Sequence, residues 1–256
     1  MTSTSNLTKK HLFIPDCQVR PGVPINHLSA LGNYIVEKQP DVIICAGDFA
    51  DMHSLSSYDR ATGKAEGARY EEDIECATDA MAALTAPIIK AKKYNPRMVL
   101  TLGNHEERIV RYANANPHLI GKVSYGDLPY WGWEVYDYLQ PVVIDGISYC
   151  HFFPRNAQGR ITQTKRGAPS ARLQVLRELQ SCTSGHLQGV DYYVHQTGDR
   201  RFHGLMAGSF YQHEEEYLSP QGTAYWRGVI VKHEVHDGQY DPMFVSLDYL
   251  LKEYSG

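Results

Sequence analysis

The sequence has 256 residues, 43% of them hydrophobic and 21% charged, with a formal net charge of −4 at pH 7. This length and composition predict one globular domain over residues 1–256, with its core at about residues 11–247. No segment approaches the roughly 18 uncharged apolar residues of a membrane span, and the first ten residues lack a secretory pattern, so we expect a cytoplasmic protein without membrane contact.

The first half of the chain alternates strand and helix patterns. Short apolar runs bounded by turn residues predict strands, and apolar residues at helical spacing predict the helices between them. A prolyl residue ends the first helix after Gln39, and Asn95-Pro96 marks a later turn. The predicted order is β-α-β-α-β-α, at residues 12–14, 28–36, 41–46, 74–88, 98–102 and 105–116.

From about residue 120 the sequence changes to Tyr, Trp and Gly with β-favouring runs. A second sheet is expected to begin there, with Asp145-Gly146 as a hairpin turn. Leu173, Leu176 and Leu179 indicate one more helix, and the residues after 247 a peripheral turn or short helix. The predicted strands are at 133–138, 141–144, 147–150, 192–194, 202–206, 228–235 and 243–247, the last four antiparallel and closing the back of a sandwich. The predicted fold class is therefore α/β (α+β), a two-sheet mixed β-sandwich flanked by helices.

Five short clusters of carboxylate, amide and imidazole side chains follow apolar runs in this pattern. The carboxyl edge of an open α/β sheet is where such folds build their sites. The five cysteines are odd in number and scattered, which argues against a disulfide framework and a thiolate zinc site. Oxygen and imidazole ligands fit a pair of hard to borderline divalent ions, so a two-metal hydrolase is predicted. The clusters are Asp16-Cys17-Gln18, Gly47-Asp48-Phe49-Ala50-Asp51, Gly103-Asn104-His105-Glu106, Cys150-His151 and Gly185-His186-Leu187-Gln188.

The order and content of these clusters resemble the calcineurin-like metallophosphoesterase superfamily. Its pattern is Asp-x-His, Gly-Asp-x-x-Asp, Gly-Asn-His-Glu/Asp, His and Gly-His-x-His, and the resemblance covers residues 11 to about 210. The second and third motifs are intact, and the first and fifth are altered. The chain is also similar to stand-alone bacteriophage-type metallophosphoesterases, for which the location would be the host cytoplasm. The resemblance implies a metallophosphoesterase fold and hydrolysis of phosphodiester or phosphomonoester bonds through a hydroxide activated by two metal ions.

The resemblance also implies the metal ligands. Asp48 would bridge two ions; Asn104, His151 and His186 would complete one site, and Asp16, Gln18 and Gln188 the other. Most relatives carry histidine where Gln18 and Gln188 stand. If both glutamines coordinate through oxygen, the second site is all oxygen and prefers Mn²⁺ or Mg²⁺. If neither does, the enzyme is mononuclear or nearly inactive. We expect two divalent ions, Mn²⁺ first, with Mg²⁺, Fe²⁺, Zn²⁺ or Ni²⁺ as alternatives.

Two residues receive catalytic roles from the resemblance. His105 would contact a phosphoryl oxygen or protonate the leaving group, and Asp51 would hydrogen-bond its far nitrogen, fixing the tautomer and raising the pKa. Substrate contacts are expected from Asn104, His105, Arg108 and Arg155.

Local charge bears on the substrate. Six basic residues and no acidic one lie between Arg155 and Arg177, which favours polyanions such as DNA or a nucleotide, a solvated loop being the alternative. Met52 stands where protein phosphatases of the superfamily carry arginine, so a phosphoprotein is less expected. The favoured functions are a nuclease or a nucleotide phosphodiesterase acting on a phosphate ester. The alternatives are a non-catalytic metal-binding scaffold and a phosphoprotein phosphatase, and no obligate protein partner is evident.

Overall fold

Two mixed β-sheets pack face to face and carry helices on their outer sides. The computed structural model describes residues 8–57, 67–154, 167–214 and 225–255. The strands are β1 Lys9–Ile14, β2 Val42–Cys45, β3 Arg97–Thr101, β4 Glu134–Tyr136, β5 Val142–Ile144, β6 Ile147–Tyr149, β7 Ser181–Ser184, β8 Val190–Gln196, β9 Arg201–Ala207, β10 Gly228–His236 and β11 Gln239–Ser246. The helices are α1 Asn26–Lys38, α2 Tyr70–Lys90, α3 Glu107–Ala115, α4 Ala171–Glu178 and α5 Leu247–Tyr254.

The strand order is β11-β10-β1-β2-β3-β4 in the first sheet and β5-β6-β7-β9-β8 in the second. Strands β1 to β4 run parallel to one another, and so do β6, β7 and β9. The carboxyl ends of three neighbouring parallel strands, β1, β2 and β3, therefore lie at one edge of the first sheet. The carboxyl ends of β6 and β7 lie likewise at one edge of the second.

The central strands are apolar on both faces because both faces are covered. Phe13 and Ile44 point into the core between the sheets, while Leu12, Ile14 and Ile43 pack under the helices of the first sheet. All five side chains are fully buried, so these strands read as continuous apolar runs rather than alternating ones. Within the described residues, no helix has the length and apolarity that crossing a membrane requires.

The predicted two-sheet mixed sandwich flanked by helices is confirmed, but three strands lie elsewhere than expected. The strand at residues 133–138, expected to open the second sheet, is β4 of the first sheet, parallel to β3. β10 and β11, expected to close the back of the sandwich, extend the first sheet beside β1. β7, for which no strand was predicted, pairs with both β6 and β9 in the second sheet.

Candidate metal centre

The five polar clusters each follow the carboxyl end of a parallel strand, and the two sheets bring them together. Asp16 follows β1 and Asp48 follows β2, with Asn104 after β3, His151 after β6 and His186 after β7. Hydrogen bonds cross between the sheets at this point. The His186 N–H donates to Asp16 Oδ1 over 2.9 Å, and His151 Nε2 lies 3.0 Å from Asn104 Oδ1.

Asp48, His151 and His186 form a group whose donor atoms all lie within 4.8 Å of one another. His151 is fully buried, and Asp48 is 1% exposed. His151 Nδ1 donates to the backbone oxygen of Ala46 over 2.9 Å, so Nε2 is the nitrogen that faces Asp48 Oδ2 at 3.3 Å. One carboxylate and two imidazoles at this spacing suit a borderline divalent cation such as Mn²⁺, Fe²⁺ or Zn²⁺.

Four of the predicted ligands have a left-handed backbone: Gln18, Asp48, His186 and Gln188, with φ of 43°, 46°, 69° and 59°. A non-glycine residue in this region costs on the order of 1 kcal/mol or more, and such residues cluster at functional sites. At each of these positions the left-handed backbone changes the direction of the chain, either just after a strand or within the loop that follows the strand. The strain therefore occurs in four of the positions where the sequence predicts ligands.

Two glycines allow the ligand loops to approach closely. A Cβ atom on Gly103 would lie 2.1 Å from Asp48 Oδ1 and 2.3 Å from the Asp48 nitrogen. A Cβ atom on Gly185 would lie 2.2 Å from Asp16 Oδ1. Any larger residue at either position would displace a candidate ligand.

The buried ionisable groups at the centre differ in the direction of their pKa shifts. Burial opposes ionisation of Asp48, but the imidazoles of His105 and His151 outweigh it and hold the pKa of Asp48 well below its usual range. Burial likewise lowers the pKa of His151, but Asp48 outweighs it and raises that pKa to about 9. Burial raises the pKa of Asp16 to about 7, and Asp48 adds to the effect. Asp16 and Asp48 together form a concentration of buried negative charge that a divalent cation would neutralise.

His105 and Asp51 lie side by side as the sequence predicts. His105 Nδ1 is 2.7 Å from Asp51 Oδ1, and His105 Nε2 is 3.7 Å from Asp48 Oδ2. Burial lowers the pKa of His105, but Asp48 outweighs it, with a further contribution from Asp51, so the pKa lies above its ordinary value. Because an ionised Asp51 only accepts hydrogen bonds, Nδ1 carries a proton and Nε2 is the nitrogen left for chemistry.

Arg108 lies against this pair. Its Nη1 donates to the Asp51 backbone oxygen over 2.8 Å and to Asp51 Oδ1 over 3.0 Å, and its Nη2 is 3.3 Å from His105 Nε2. Arg155, the other predicted substrate contact, lies outside the described residues, as do Arg160, Lys165 and Arg166 of the basic run.

The two glutamines lie in the same cluster of loops. Gln18 is 1% exposed, and its N–H donates to the Asp48 backbone oxygen over 2.8 Å. Gln188 is 5% exposed, and its Oε1 accepts a hydrogen bond from the Tyr211 hydroxyl over 2.8 Å. Tyr211 was not predicted to contribute to the site, and its position near Gln188 arises from a loop that follows β9.

Glu106 belongs to the third cluster, but the sequence predicts no functional role for it. It is fully buried, and its carboxylate accepts hydrogen bonds from the backbone of the Asp48 loop. Burial raises the pKa of Glu106 above its ordinary value, and repulsion from Asp48 adds to this. The only signal in the sequence is its place directly after Asn104-His105, which equally fits a residue that opens a helix.

One family model and two solved structures are similar to this chain. A family model described as calcineurin-like phosphoesterase matches residues 11–199. A solved structure of a conserved uncharacterized protein from Streptococcus pneumoniae TIGR4, described as a predicted phosphoesterase, is 13% identical, has a TM-score of 0.40, and covers 94% of this chain and 91% of its own. A second solved structure is 12% identical and has a TM-score of 0.44, and the match covers 94% of this chain and 100% of that one. A search of curated proteins found no match. The matched range contains all five clusters, from Asp16 to Gln188.

Proposed function

We propose that this chain, which belongs to the calcineurin-like phosphoesterase family, is a metal-dependent hydrolase of phosphodiesters, with DNA or nucleotides as first candidates and phosphomonoesters next. The observation that carries the proposal is the group of buried Asp48 and His151 with half-buried His186 beside His105, whose Nε2 lies 3.7 Å from Asp48 Oδ2. A cation site next to an imidazole that can deliver a proton is what hydrolysis at phosphorus requires.

Two divalent ions are proposed, with Asp48 as the shared ligand. When bound, they would lower the pKa of a water molecule and withdraw charge from the phosphoryl oxygens. Asn104, His151 and His186 would hold one ion, and Asp16, Gln18 and Gln188 the other. The His186 N–H bond to Asp16 Oδ1 supports this assignment because it joins the ligands of the two sites.

The two glutamines are proposed to bind through oxygen. An amide oxygen has two lone pairs, so the hydrogen bond from Tyr211 to Gln188 Oε1 leaves one for an ion. The second site would then consist of oxygen atoms alone, which favours Mn²⁺ or Mg²⁺ over softer ions. Mn²⁺ is the ion proposed first.

His105 is proposed to donate a proton to the leaving oxygen or to contact the phosphoryl group. Asp51 holds Nδ1, and although burial lowers the pKa of His105, Asp48 and Asp51 raise it above its ordinary value, which favours the protonated ring that proton donation needs. Asn104 and Arg108 are proposed as further substrate contacts, together with Arg155. Arg108 Nη2 lies 3.3 Å from His105 Nε2, so its guanidinium is beside the nitrogen proposed to act on the substrate.

Charge supports polyanionic substrates. The run from Arg155 to Arg177 carries six basic residues and no acidic one, and it directly follows the ligand loop of His151. Phosphate backbones bind such segments by electrostatic attraction. The likeness of the sequence motifs to bacteriophage-type enzymes points in the same direction, toward a nuclease. A phosphoprotein substrate is the lesser candidate because Met52 stands where protein phosphatases of the superfamily carry arginine. A metal-dependent activity assay separates an enzyme from a non-catalytic scaffold.

The test is a substrate panel with the chelated protein, before and after Mn²⁺ is added. The panel holds an aryl phosphodiester, an aryl phosphomonoester, nucleotides, and single- and double-stranded DNA. We expect no turnover without metal and restored turnover with it, diesters being cleaved faster than monoesters. Asp48→Asn should lower turnover at least about a hundredfold. Asp145→Asn, in the β5–β6 hairpin, should keep its activity.

Calorimetric titration with Mn²⁺ on the same preparations counts the ions. Two bound ions without turnover of any substrate would mean a scaffold rather than an enzyme. Gln188→Ala should bind one ion fewer than the wild-type protein, and two ions in that variant would contradict the glutamine assignment.

A further inference from the structure

Glu106 lies beneath the loops that carry the candidate ligands Asp48 and Asn104. Its carboxylate accepts more hydrogen bonds than a residue at the start of a helix needs. It stands at the residue before α3, yet its side chain makes no capping bond to that helix. It is fully buried, and burying a carboxylate is costly unless donors satisfy it. The hydrogen-bond donors around its carboxylate therefore indicate the role of Glu106.

The carboxylate binds two separate loops. Oε2 accepts from the N–H groups of Asp48 over 2.9 Å and Gly103 over 2.8 Å. Oε1 accepts from the N–H groups of Phe49 over 2.8 Å and Ala50 over 3.2 Å. One side chain thus joins the loop after β2, which carries Asp48, to the loop after β3, which carries Asn104.

A third segment completes the coordination of this side chain. The Tyr130 hydroxyl donates to Glu106 Oε1 over 2.8 Å, and Tyr130 itself is 7% exposed. Five donors meet two oxygens, which an ionised carboxylate accommodates because it only accepts. The same contacts turn both oxygens of Glu106 toward protein donors.

Glutamine could not replace the carboxylate. Whichever way its amide is turned, the NH₂ group faces either the Asp48 and Gly103 donors or the Phe49 and Ala50 donors. A buried donor left without an acceptor costs about 1–3 kcal/mol. The arrangement therefore selects a carboxylate of this length, although the side chains of glutamate and glutamine are almost the same size.

We propose that Glu106 is a positioning residue for the metal centre, which ties the Asp48 loop to the Asn104 loop and so sets the distance between ligands of the two loops. The backbone of Asp48, held at a left-handed φ of 46°, presents Oδ1 to the His105 N–H at 2.8 Å, so both loops already meet at Asp48. This inference rests on the proposed metal-binding function, and the experiment reads the loops directly so that the two can fail separately.

The experiment uses Glu106→Gln in the full chain. Amide hydrogen exchange of the metal-free protein, followed by NMR, should show at least two of the Asp48, Phe49, Ala50 and Gly103 amides exchanging about tenfold faster or more, while the β1 and β10 amides keep their protection. Calorimetric titration with Mn²⁺ should show affinity weakened by about 10–100-fold, as for other residues that orient metal ligands.

Asp73→Asn is the matched control. Asp73 is another buried carboxylate, 3% exposed, and it accepts a hydrogen bond from the Ser54 backbone N–H over 2.9 Å. It contacts neither ligand loop through that bond, so this variant should leave Mn²⁺ affinity and the four amides unchanged. A fall in Mn²⁺ affinity as large as that of Glu106→Gln would show a general effect of lost stability and overturn the inference.

A milder variant covers the case in which Glu106→Gln does not fold. Tyr130→Phe removes one donor and leaves the four N–H contacts, so Mn²⁺ affinity should fall by a smaller factor, about two- to tenfold. Unchanged affinity in every folded variant, or slow exchange of all four amides in Glu106→Gln, would overturn the inference. Changed exchange and affinity in a protein that hydrolyses no member of the substrate panel would uphold it and reject the proposed function.

Discussion

His105 lies between two carboxylates that act on different nitrogens. Asp51 Oδ1 accepts a hydrogen bond from the Nδ1–H group over 2.7 Å, while Asp48 Oδ2 lies 3.7 Å from Nε2 and raises the pKa of the ring. Asp51 therefore fixes the tautomer of the ring, and Asp48 favours its protonated form. This division of labour supports proton donation rather than metal binding by His105.

His105→Ala should lower turnover about a hundredfold or more, because the proton donor is lost, while Mn²⁺ stoichiometry stays unchanged. Steady-state kinetics and calorimetry on one preparation measure both. His118→Ala, an exposed histidine outside the centre, is the control. Loss of one bound ion in the His105 variant would instead place this imidazole among the ligands.

The contact between His105 and Asp51 was predictable from the family resemblance because both residues lie in short, local motifs. The sequence does not identify what Glu106 does, because its acceptor oxygens serve backbone amides 56 to 58 positions earlier. A backbone N–H carries no residue identity, so no pattern of side chains predicts the contact. The contact between Tyr211 and Gln188, 23 positions apart, escapes prediction for a related reason, because the β8–β9 hairpin lies between the two residues.

At the scale of elements, β7 shows where hydrophobic pattern fails. Its residues, Ser181–Ser184, are small or polar, yet all are buried at the centre of the second sheet. Neighbours satisfy their hydroxyls: Ser184 donates to Gln174 over 2.7 Å, and Lys232 donates to Thr183 over 2.5 Å. A search for apolar runs misses such a strand, although the next residues, Gly185-His186, were predicted to follow one.

The loop from β3 to α3 tolerates no side chain at Gly103. In Gly103→Ala the added methyl group would overlap Asp48 and push the two ligand loops apart. Displacing a reacting group by about 1 Å costs about a hundredfold in rate, so kcat/KM should fall by that factor or more, with Mn²⁺ affinity reduced in parallel. Gly198→Ala, where no heavy atom lies within 4 Å of the added carbon, should behave as wild type. Full activity in Gly103→Ala would show that the loops can separate without harm.

At the scale of the whole molecule, most strands other than β7 were predictable, but the sheet in which β4, β10 and β11 lie was not. The apolar runs at residues 228–235 and 243–247 locate β10 and the second half of β11, but pairing beside β1 depends on tertiary contacts that periodicity does not encode. His27 illustrates these contacts, because it joins α1 to the segment after β9. Its Nε2 donates to the Phe210 oxygen over 3.1 Å, and Gln212 Nε2 donates to its Nδ1 over 3.0 Å.

Acid should weaken the fold through His27. Burial lowers its pKa from 6.5 to about 4, so between these values the unfolded chain binds a proton that the folded chain does not. The free energy of unfolding contributed by His27 is present above pH 6.5 and is lost as the pH falls toward 4, by about 2 kcal/mol between pH 7 and 5. Chemical denaturation at both pH values measures it. His27→Gln should show a fall smaller by that amount, and an equal fall in both proteins would exclude the effect.

The position of β1 between β2 and β10 also governs when the candidate metal centre can form. Leu12 pairs with Ile43 on one side and with Val231 on the other, and the Asp16 backbone oxygen accepts from the Phe210 N–H over 2.8 Å. Residues of β1 and β2 are synthesised well before Phe210 and β10. Asp16 therefore reaches its final surroundings only after residues 210 to 231 have left the ribosome, so the order of translation delays assembly of the candidate metal centre.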